Sequence, residues 1–234
     1  MDRRLDVLFV TPPSRLAVYQ QLGNELAATE PPVWSSLLAN AVRRAGFGVG
    51  ILDAEALGLG HATTAQRIVD ANARLTVYAI YGQQPSASTQ CMPGGRATAT
   101  LVADAADRPS LVLGTHPSAL PERTLREEPY TWVCEGEGLA TILGLLRGDR
   151  HDAVPGLWWR DPEGAIRHNP PAPVMADLDS ALPGQAWDLL DVPRYRAHNW
   201  HCFDDLDRRQ PYAAVQTSLG CPYRCTFCCI NAPF

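Results

Sequence analysis

Short apolar runs rich in β-branched residues alternate with longer segments of helical periodicity through the first two thirds of this chain. Such alternation is typical of a parallel sheet covered by helices. The apolar runs predict strands at 6–10, 48–53, 75–81, 110–114 and 131–135. The other segments predict helices at 32–46, 63–73, 97–106, 121–125 and 139–146. We therefore expect an α/β fold, with a Rossmann-like parallel-sheet domain over residues 1–150.

The pattern of apolar runs and helical segments changes after residue 150. Residues 154–166 predict a small β-hairpin that turns around 162–164. The following stretch is rich in proline, which excludes long helices. Residues 212–218 predict a strand that leads into a cysteine cluster. We expect a linker with a hairpin over 151–210 and the start of a second domain over 211–234.

The charge and hydropathy patterns argue against two classes of partner. The net charge is −5 and no block of Lys or Arg occurs, so the electrostatic footprint of a nucleic-acid-binding protein is missing. No apolar run approaches the roughly 20 residues that span a bilayer, and the amino-terminal sequence lacks the features of a signal peptide. We expect a cytoplasmic protein with neither a nucleic-acid nor a membrane partner.

The loops after the predicted strands are rich in Gly, Pro, Ser and Thr, at 11–14, 81–86, 114–118 and 135–138. In open α/β sheets a ligand binds outside the carboxyl ends of the strands. One such loop alone can serve simply to turn the chain. Several on the same edge favour a ligand-binding site there.

Three cysteines near the end of the chain, Cys221, Cys225 and Cys228, follow a Cys-x3-Cys-x2-Cys pattern. Thiolates are the usual ligands of iron-sulfur clusters, and three of them leave one iron open to another ligand. Zinc is the alternative, but it prefers four ligands and no second cysteine pair accompanies this motif. Cys229 would replace Cys228 only in a longer register, and we interpret it as a bystander.

The segment from Thr217 to Cys228 resembles the cluster motif of the radical S-adenosylmethionine (SAM) superfamily, which follows the first strand of a partial (β/α) barrel. The resemblance implies that Cys221, Cys225 and Cys228 hold a 4Fe-4S cluster and that SAM binds its fourth iron. It also implies SAM contacts from Tyr223 and Phe227, with Phe227 against the adenine. One-electron reduction would then yield a 5′-deoxyadenosyl radical, with flavodoxin or ferredoxin as the electron donor.

The preceding region resembles the cobalamin-binding domain found before many class B radical SAM methylases. The similarity includes Val10–Pro13, Gly114–Ser118, Gly136–Gly138 and the linker from Trp158 to Leu190. Cobalamin contacts are implied for the following loop residues: Thr11, Pro12, Pro13, Tyr81, Gly82, Gln83, Gln84, Ser86, Gly114, Thr115, His116, Pro117, Gly136, Glu137 and Gly138.

The loop after the first strand departs from the Asp-x-His-x-x-Gly pattern of many cobalamin domains. It reads Thr-Pro-Pro-Ser-Arg-Leu from Thr11 to Leu16 and contains no histidine. We therefore expect base-off cobalamin without a protein imidazole on cobalt. His116 is a possible substitute ligand, but its place after the fourth strand favours a hydrogen bond that orders the loop.

The resemblance implies methylation of an unactivated carbon or a phosphinate in a small-molecule or peptide natural product. Cobalamin-assisted rearrangement or cyclisation is an alternative, and so is a non-catalytic cobalamin carrier. A methylthiotransferase would need additional early cysteines, whereas the first here is Cys91. A barrel needs roughly 200 residues, and six follow Cys228. We expect this chain to be truncated and inactive alone.

Overall fold

The structure is a computed structural model that describes residues 5–20, 27–81, 87–197, 205, 208, 210–216, 218–223 and 225–228. Within these residues the strands form one seven-stranded sheet in the order β2-β1-β3-β4-β5-β6-β7. The strands are β1 (Val7–Thr11), β2 (Val49–Asp53), β3 (Leu75–Ala79), β4 (Ser110–Leu113), β5 (Trp132–Cys134), β6 (Leu157–Arg160) and β7 (Ile166–His168).

The first five strands are parallel, which confirms the predicted Rossmann-like α/β fold. β1 is paired on both sides, with β2 and β3, and Val7 to Val10 are all buried. A strand whose two faces are both covered by helices reads as a continuous apolar run. For this reason the strand predictions from apolar runs agree with the structure to within a few residues.

Helices cover both faces of the sheet. They are α1 (Arg15–Tyr19), α2 (Val33–Arg44), α3 (His61–Ala71), α4 (Ala87–Ala105), α5 (Thr115–Ala119), α6 (Pro121–Glu127), α7 (Leu139–Arg147) and α8 (Leu178–Ala181), with short 3-10 turns at His151–Ala153, Trp187–Leu189 and Val192–Arg194. One core cluster joins Phe9 to α2 and α7, and the other joins Val10 to α3 and α4. Alternate residues of β1 therefore serve opposite cores.

The fourth helix is longer than predicted, because it begins at Ala87 rather than at residue 97 and contains Pro93. The Pro-Gly-Gly sequence suggests a break, but packing favours the helix at this point. A Cβ on Gly94 would lie 2.5 Å from the Pro13 carbonyl oxygen, and one on Gly95 would lie 2.6 Å from the Tyr130 hydroxyl. Gly94 allows α4 to approach the loop after β1 closely, and Gly95 allows it to approach Tyr130.

Two other predictions differ from the structure. Residues 115–119 form the short helix α5 rather than a loop. Residues 212–216 are not part of a strand, because a strand requires a hydrogen-bonded neighbour, and among the described residues none pairs with this segment. The predicted hairpin is present as β6 and β7, and it extends the main sheet through antiparallel pairing with β5.

The segment after β7 returns to the sheet and packs on α2. Asn40 Nδ2 donates to the Gly184 carbonyl at 2.9 Å, and Arg43 pairs with Asp188 at 2.6 Å. Leu182 and Ala186 are buried in the same core as α2. Among the helices of the described residues, none is both long enough and apolar enough to cross a bilayer.

Candidate functional site

A cavity of about 210 Å³ opens at the carboxyl ends of β1 and β3. The sheet order reverses there, because β2 lies on one side of β1 and β3 to β5 lie on the other. Ligands of open α/β sheets bind at such a switch point. The cavity is lined by Thr11, Ser14, Arg15, Val18, Ala28, Thr29, Glu30, Pro31, Pro32, Val33, Trp34, Ser35, Glu55, Ala79, Tyr81, Ala87, Cys91, Ala214 and Gln216.

Three hydroxyl groups on the cavity wall are buried. The oxygens of Thr11, Ser35 and Tyr81 have no hydrogen-bond partner among the described residues. A buried polar group without a partner costs free energy, so these hydroxyls are suited to a ligand that carries hydrogen-bonding groups.

An aromatic pair forms one apolar part of the same wall. Trp34 and Tyr81 stack with ring centroids 4.9 Å apart and an interplanar angle of 18°. Burial raises the pKa of Tyr81 above its usual 10.0. Its phenol is therefore protonated at neutral pH and can donate a hydrogen bond.

The Glu55 carboxylate holds the loop after β1 in place. Its Oε1 accepts from the backbone N–H of Ser14 and, at 2.6 Å, from that of Arg15. Arg15 in turn donates to the Thr29 hydroxyl at 2.8 Å. These contacts tie the start of α1 to the segment after β2, so the cavity has a wall built from separate parts of the chain.

Some of the residues predicted to contact cobalamin line the cavity and others do not. Thr11 and Tyr81 line the cavity, whereas Gly82, Gln83, Gln84 and Ser86 lie outside the described residues. Pro12 and Pro13 follow Thr11 but are not among the lining residues. Gly114 to Pro117 and Gly136 to Gly138 follow β4 and β5 on the same edge but are not among the residues that line this cavity. Their role in cobalamin binding stays a prediction.

Two residues of those outer loops make defined polar contacts. His116 Nδ1 lies 3.0 Å from the Thr89 hydroxyl, and its backbone N–H donates to Ser88. Burial lowers the pKa of His116, which favours the neutral ring. The Glu137 carboxylate accepts from the Met175 N–H at 3.0 Å. These contacts order the loops, and nothing in them tests a role on cobalt.

The cysteine motif lies at the surface. Cys221 is half-buried, Cys225 and Cys228 are exposed, and the Cys228 N–H donates to the Cys225 carbonyl at 3.2 Å. Tyr223 and Phe227 are 72% and 90% exposed. No three His, Cys, Asp or Glu side chains within the described ranges are grouped closely enough to hold a metal ion. The ligand assignment therefore stays a prediction, and Cys229 lies outside the described residues.

Several cavity residues were missed by the sequence reasoning. Trp34 and Ser35 belong to a helix whose apolar periodicity predicts only core packing, and Glu55 follows β2 in an ordinary turn. Cys91, the first cysteine of the chain, also lines the cavity. Burial raises the pKa of its thiol, which disfavours the thiolate that binds metals. For Glu55, the acidic residue just past a strand was the available signal.

A buried carboxyl next to the cavity connects the sheet to the linker. Asp53 ends β2 and is 7% exposed, and Tyr195 is 1% exposed. The Tyr195 hydroxyl donates to Asp53 Oδ2 at 3.0 Å, and the Ala56 N–H donates to Oδ1 at 3.2 Å. Burial raises the pKa of Asp53 to about 6, although both hydrogen bonds favour the charged form.

Residues 20–146 match the B12 binding domain family. An uncharacterized methyltransferase of Pyrococcus horikoshii is 28% identical over 98% of this chain and 46% of its own length. The anaerobic magnesium-protoporphyrin IX monomethyl ester cyclase of Rubrivivax gelatinosus is 25% identical over 95% of this chain and 38% of its own length. The chain thus spans less than half the length of these curated relatives.

A solved structure shares the fold. The radical S-adenosylmethionine methyltransferase TsrM from Kitasatospora setae, with cobalamin and a 4Fe-4S cluster bound, superposes with a TM-score of 0.63 at 18% identity. The match covers 97% of this chain and 41% of that one.

The raised pKa of Asp53 predicts a pH-dependent stability. As the pH rises from about 4, Asp53 loses its proton in the unfolded chain before it does so in the folded chain, so the free energy of unfolding falls. For a pKa of 3.8 in the unfolded chain and about 6 in the folded chain, the total fall is roughly 3 kcal/mol. Above about pH 7 this contribution is constant. Urea denaturation from pH 4 to 8 should show the fall in the wild type relative to Asp53→Asn. Parallel curves for the two proteins would contradict the prediction.

Proposed function

The chain belongs to the B12 binding domain family, and we propose that it serves a cobalamin- and 4Fe-4S-dependent radical SAM enzyme. The proposed reaction is methylation of an unactivated carbon or a phosphinate in a small-molecule or peptide substrate. The proposal rests on the cavity at the β1/β3 switch point, where buried hydroxyls have no hydrogen-bond partner within the described part of the chain.

The cavity has the chemistry that cobalamin requires. The rim of a corrin ring carries amide side chains, which both donate and accept hydrogen bonds, and the hydroxyls of Thr11, Ser35 and Tyr81 have unused capacity for both. The volume of about 210 Å³ is below that of typical ligand pockets. The described residues therefore form part of a binding surface, and the predicted contact loop 82–86 directly follows Tyr81 in the sequence.

When bound as methylcobalamin, the cofactor would supply a methyl group that can leave homolytically. The chain's own residues would bind and orient the corrin. Tyr81 can donate a hydrogen bond to a rim amide, and Trp34 offers an apolar face. The described residues that line the cavity include no histidine, and the proposal is that cobalamin binds without a protein imidazole.

The cysteine motif supplies the second half of the proposal. Cys221, Cys225 and Cys228 would hold the cluster, and Tyr223 and Phe227, both exposed here, would contact SAM. An electron donor such as flavodoxin or ferredoxin would reduce the cluster. Rearrangement or cyclisation is the second candidate, because the similarity to the Rubrivivax cyclase covers nearly the whole chain.

Cobalamin binding is the direct test. The 234-residue chain, incubated with hydroxocobalamin and desalted, should retain the cofactor in its base-off form. Tyr81→Phe should weaken binding about fivefold, since one hydrogen bond contributes about 1 kcal/mol. Tyr130→Phe is the matched control, because its buried hydroxyl also has no described partner but lies outside the cavity. A wild-type chain that retains no cobalamin would refute the assignment.

The state of cobalt tests the ligand prediction. After reduction to Co(II), the EPR spectrum of the complex should show no nitrogen superhyperfine splitting, because no imidazole would bind cobalt. Splitting that disappears in His116→Ala would instead identify His116 as the ligand.

The cluster assignment predicts a clear division among the cysteines. In the complete protein, reconstituted anaerobically, Cys221→Ala, Cys225→Ala or Cys228→Ala should abolish the cluster absorbance and SAM cleavage. Cys229→Ala is the adjacent control and should retain both. The reverse result for Cys228 and Cys229 would overturn the Cys-x3-Cys-x2-Cys register.

The type of reaction is separated by product analysis. Methylation predicts one 5′-deoxyadenosine and one S-adenosylhomocysteine per product, with label from the SAM methyl group in that product. Turnover that gives deoxyadenosine and an altered substrate without label transfer would favour rearrangement over methylation.

A further inference from the structure

Tyr195 joins the linker to the edge of the sheet where the cavity lies. Its hydroxyl donates to Asp53 at 3.0 Å, at the carboxyl end of β2. Both side chains are almost fully buried. A buried phenol and a buried carboxyl each cost free energy unless they are hydrogen-bonded, so this pair strongly favours one position of the linker.

The residue after Tyr195 strengthens the same junction. Arg196 forms an antiparallel bridge with Thr29, with both N–H···O distances at 2.9 Å. The Arg196 guanidinium also donates to the Ala27 carbonyl at 3.1 Å. Thr29 lines the cavity, so the bridge places the linker directly beside the cavity wall.

The backbone of Tyr195 contacts a second segment, residues 212–216, which we call the roof segment. The Tyr212 N–H donates to the Tyr195 carbonyl at 3.1 Å, and Gln185 Nε2 donates to the Ala214 carbonyl at 2.6 Å. Ala214 and Gln216 line the cavity. The roof segment pairs with no strand among the described residues, and these linker contacts help to locate it.

We propose that Tyr195 is a positioning residue that, through Asp53 on one side and Tyr212 on the other, seats the roof segment over the cobalamin cavity. In the sequence, the roof segment is followed by the cysteine motif that begins at Cys221. This inference rests on the proposed function for the identity of the ligand, but the seating itself requires no ligand.

Hydrogen exchange in the ligand-free 234-residue chain tests the seating. In Tyr195→Phe, the amides of the roof segment and of residues 27–29 should exchange at least about tenfold faster than in the wild type. Tyr130→Phe is the control, because it removes a buried hydroxyl without a described partner and should leave these amides unchanged. Circular dichroism confirms that each variant is folded. Equal exchange in the two variants would overturn the proposal.

Asp53→Asn is the second variant and separates positioning from general destabilisation. Its amide oxygen can still accept from Tyr195 and its side chain carries no charge to bury, so at pH 7 the roof segment should exchange no faster than in the wild type. Fast exchange in this folded variant would also count against the proposal.

A pH profile gives a readout that loss of packing alone would not produce. Asp53 is faced by Tyr195 from the linker and by Glu55 from the segment after β2, and Asp191 acts on Tyr195. Because burial raises the pKa of Asp53 to about 6, its protonation favours the seated state. Exchange of the roof segment, corrected for its intrinsic pH dependence, should therefore slow in the wild type as the pH falls through about 6. The change should be absent in Asp53→Asn and shifted to higher pH in Tyr195→Phe. A wild-type profile without it would contradict the role of Asp53.

The rate of cobalamin release tests whether the seated roof segment covers the ligand. Hydroxocobalamin should leave Tyr195→Phe at least about threefold faster than it leaves the wild type or Tyr130→Phe. Equal release rates would show that the roof segment does not cover the cofactor. If the wild type binds no cobalamin at all, the proposed function fails, and the exchange experiments still decide whether Tyr195 seats the roof segment.

Discussion

Pairing of β1 with a strand on each side is the constraint on which the rest of this structure depends. β2 and β3 both hydrogen-bond to β1, so the chain must cross the sheet in opposite directions from that strand. The connections that follow β1 and β3 lead to helices on opposite faces of the sheet, so these connections diverge at the carboxyl end of β1. The crevice left between them is the cavity, and Thr11, the last residue of β1, lies on its wall.

Different sides of the helix α2 contact the sheet, the linker and the cavity. Its apolar side packs on the sheet through Leu38 and Val42, and its polar side receives the linker through Asn40 and Arg43. Its first turn contributes Trp34 and Ser35 to the cavity. The helix α2 therefore contacts the core, the linker and the cavity. A shift of the linker on α2 would displace Trp34 and Ser35 on the cavity wall. The buried contact between Asp53 and Tyr195 secures the linker from the other side.

Sequence reasoning located the edge of the site but only part of its wall. Thr11 and Tyr81 were predicted because they follow apolar runs, and the ends of parallel strands share one edge. Ser35 and Glu55 were missed because a hydroxyl in a helix and an acid in a turn usually face water, and nothing local reveals that tertiary packing buries or engages them. The helix over residues 115–119 was missed for a similar reason, since its Thr-His-Pro-Ser sequence suggests a loop.

The sequence by itself determined the α/β class, the succession of strands and the cysteine spacing, because each depends on residues close together along the chain. Apolar runs of strand length and Cys-x3-Cys-x2-Cys are local patterns. Only the tertiary structure decided that β6 and β7 extend the sheet, that Tyr195 reaches Asp53 across 142 positions, and that Ala214 and Gln216 line the cavity. Those contacts join residues distant in sequence, and the free energy of burying them together is defined only once the sheet has brought them into contact.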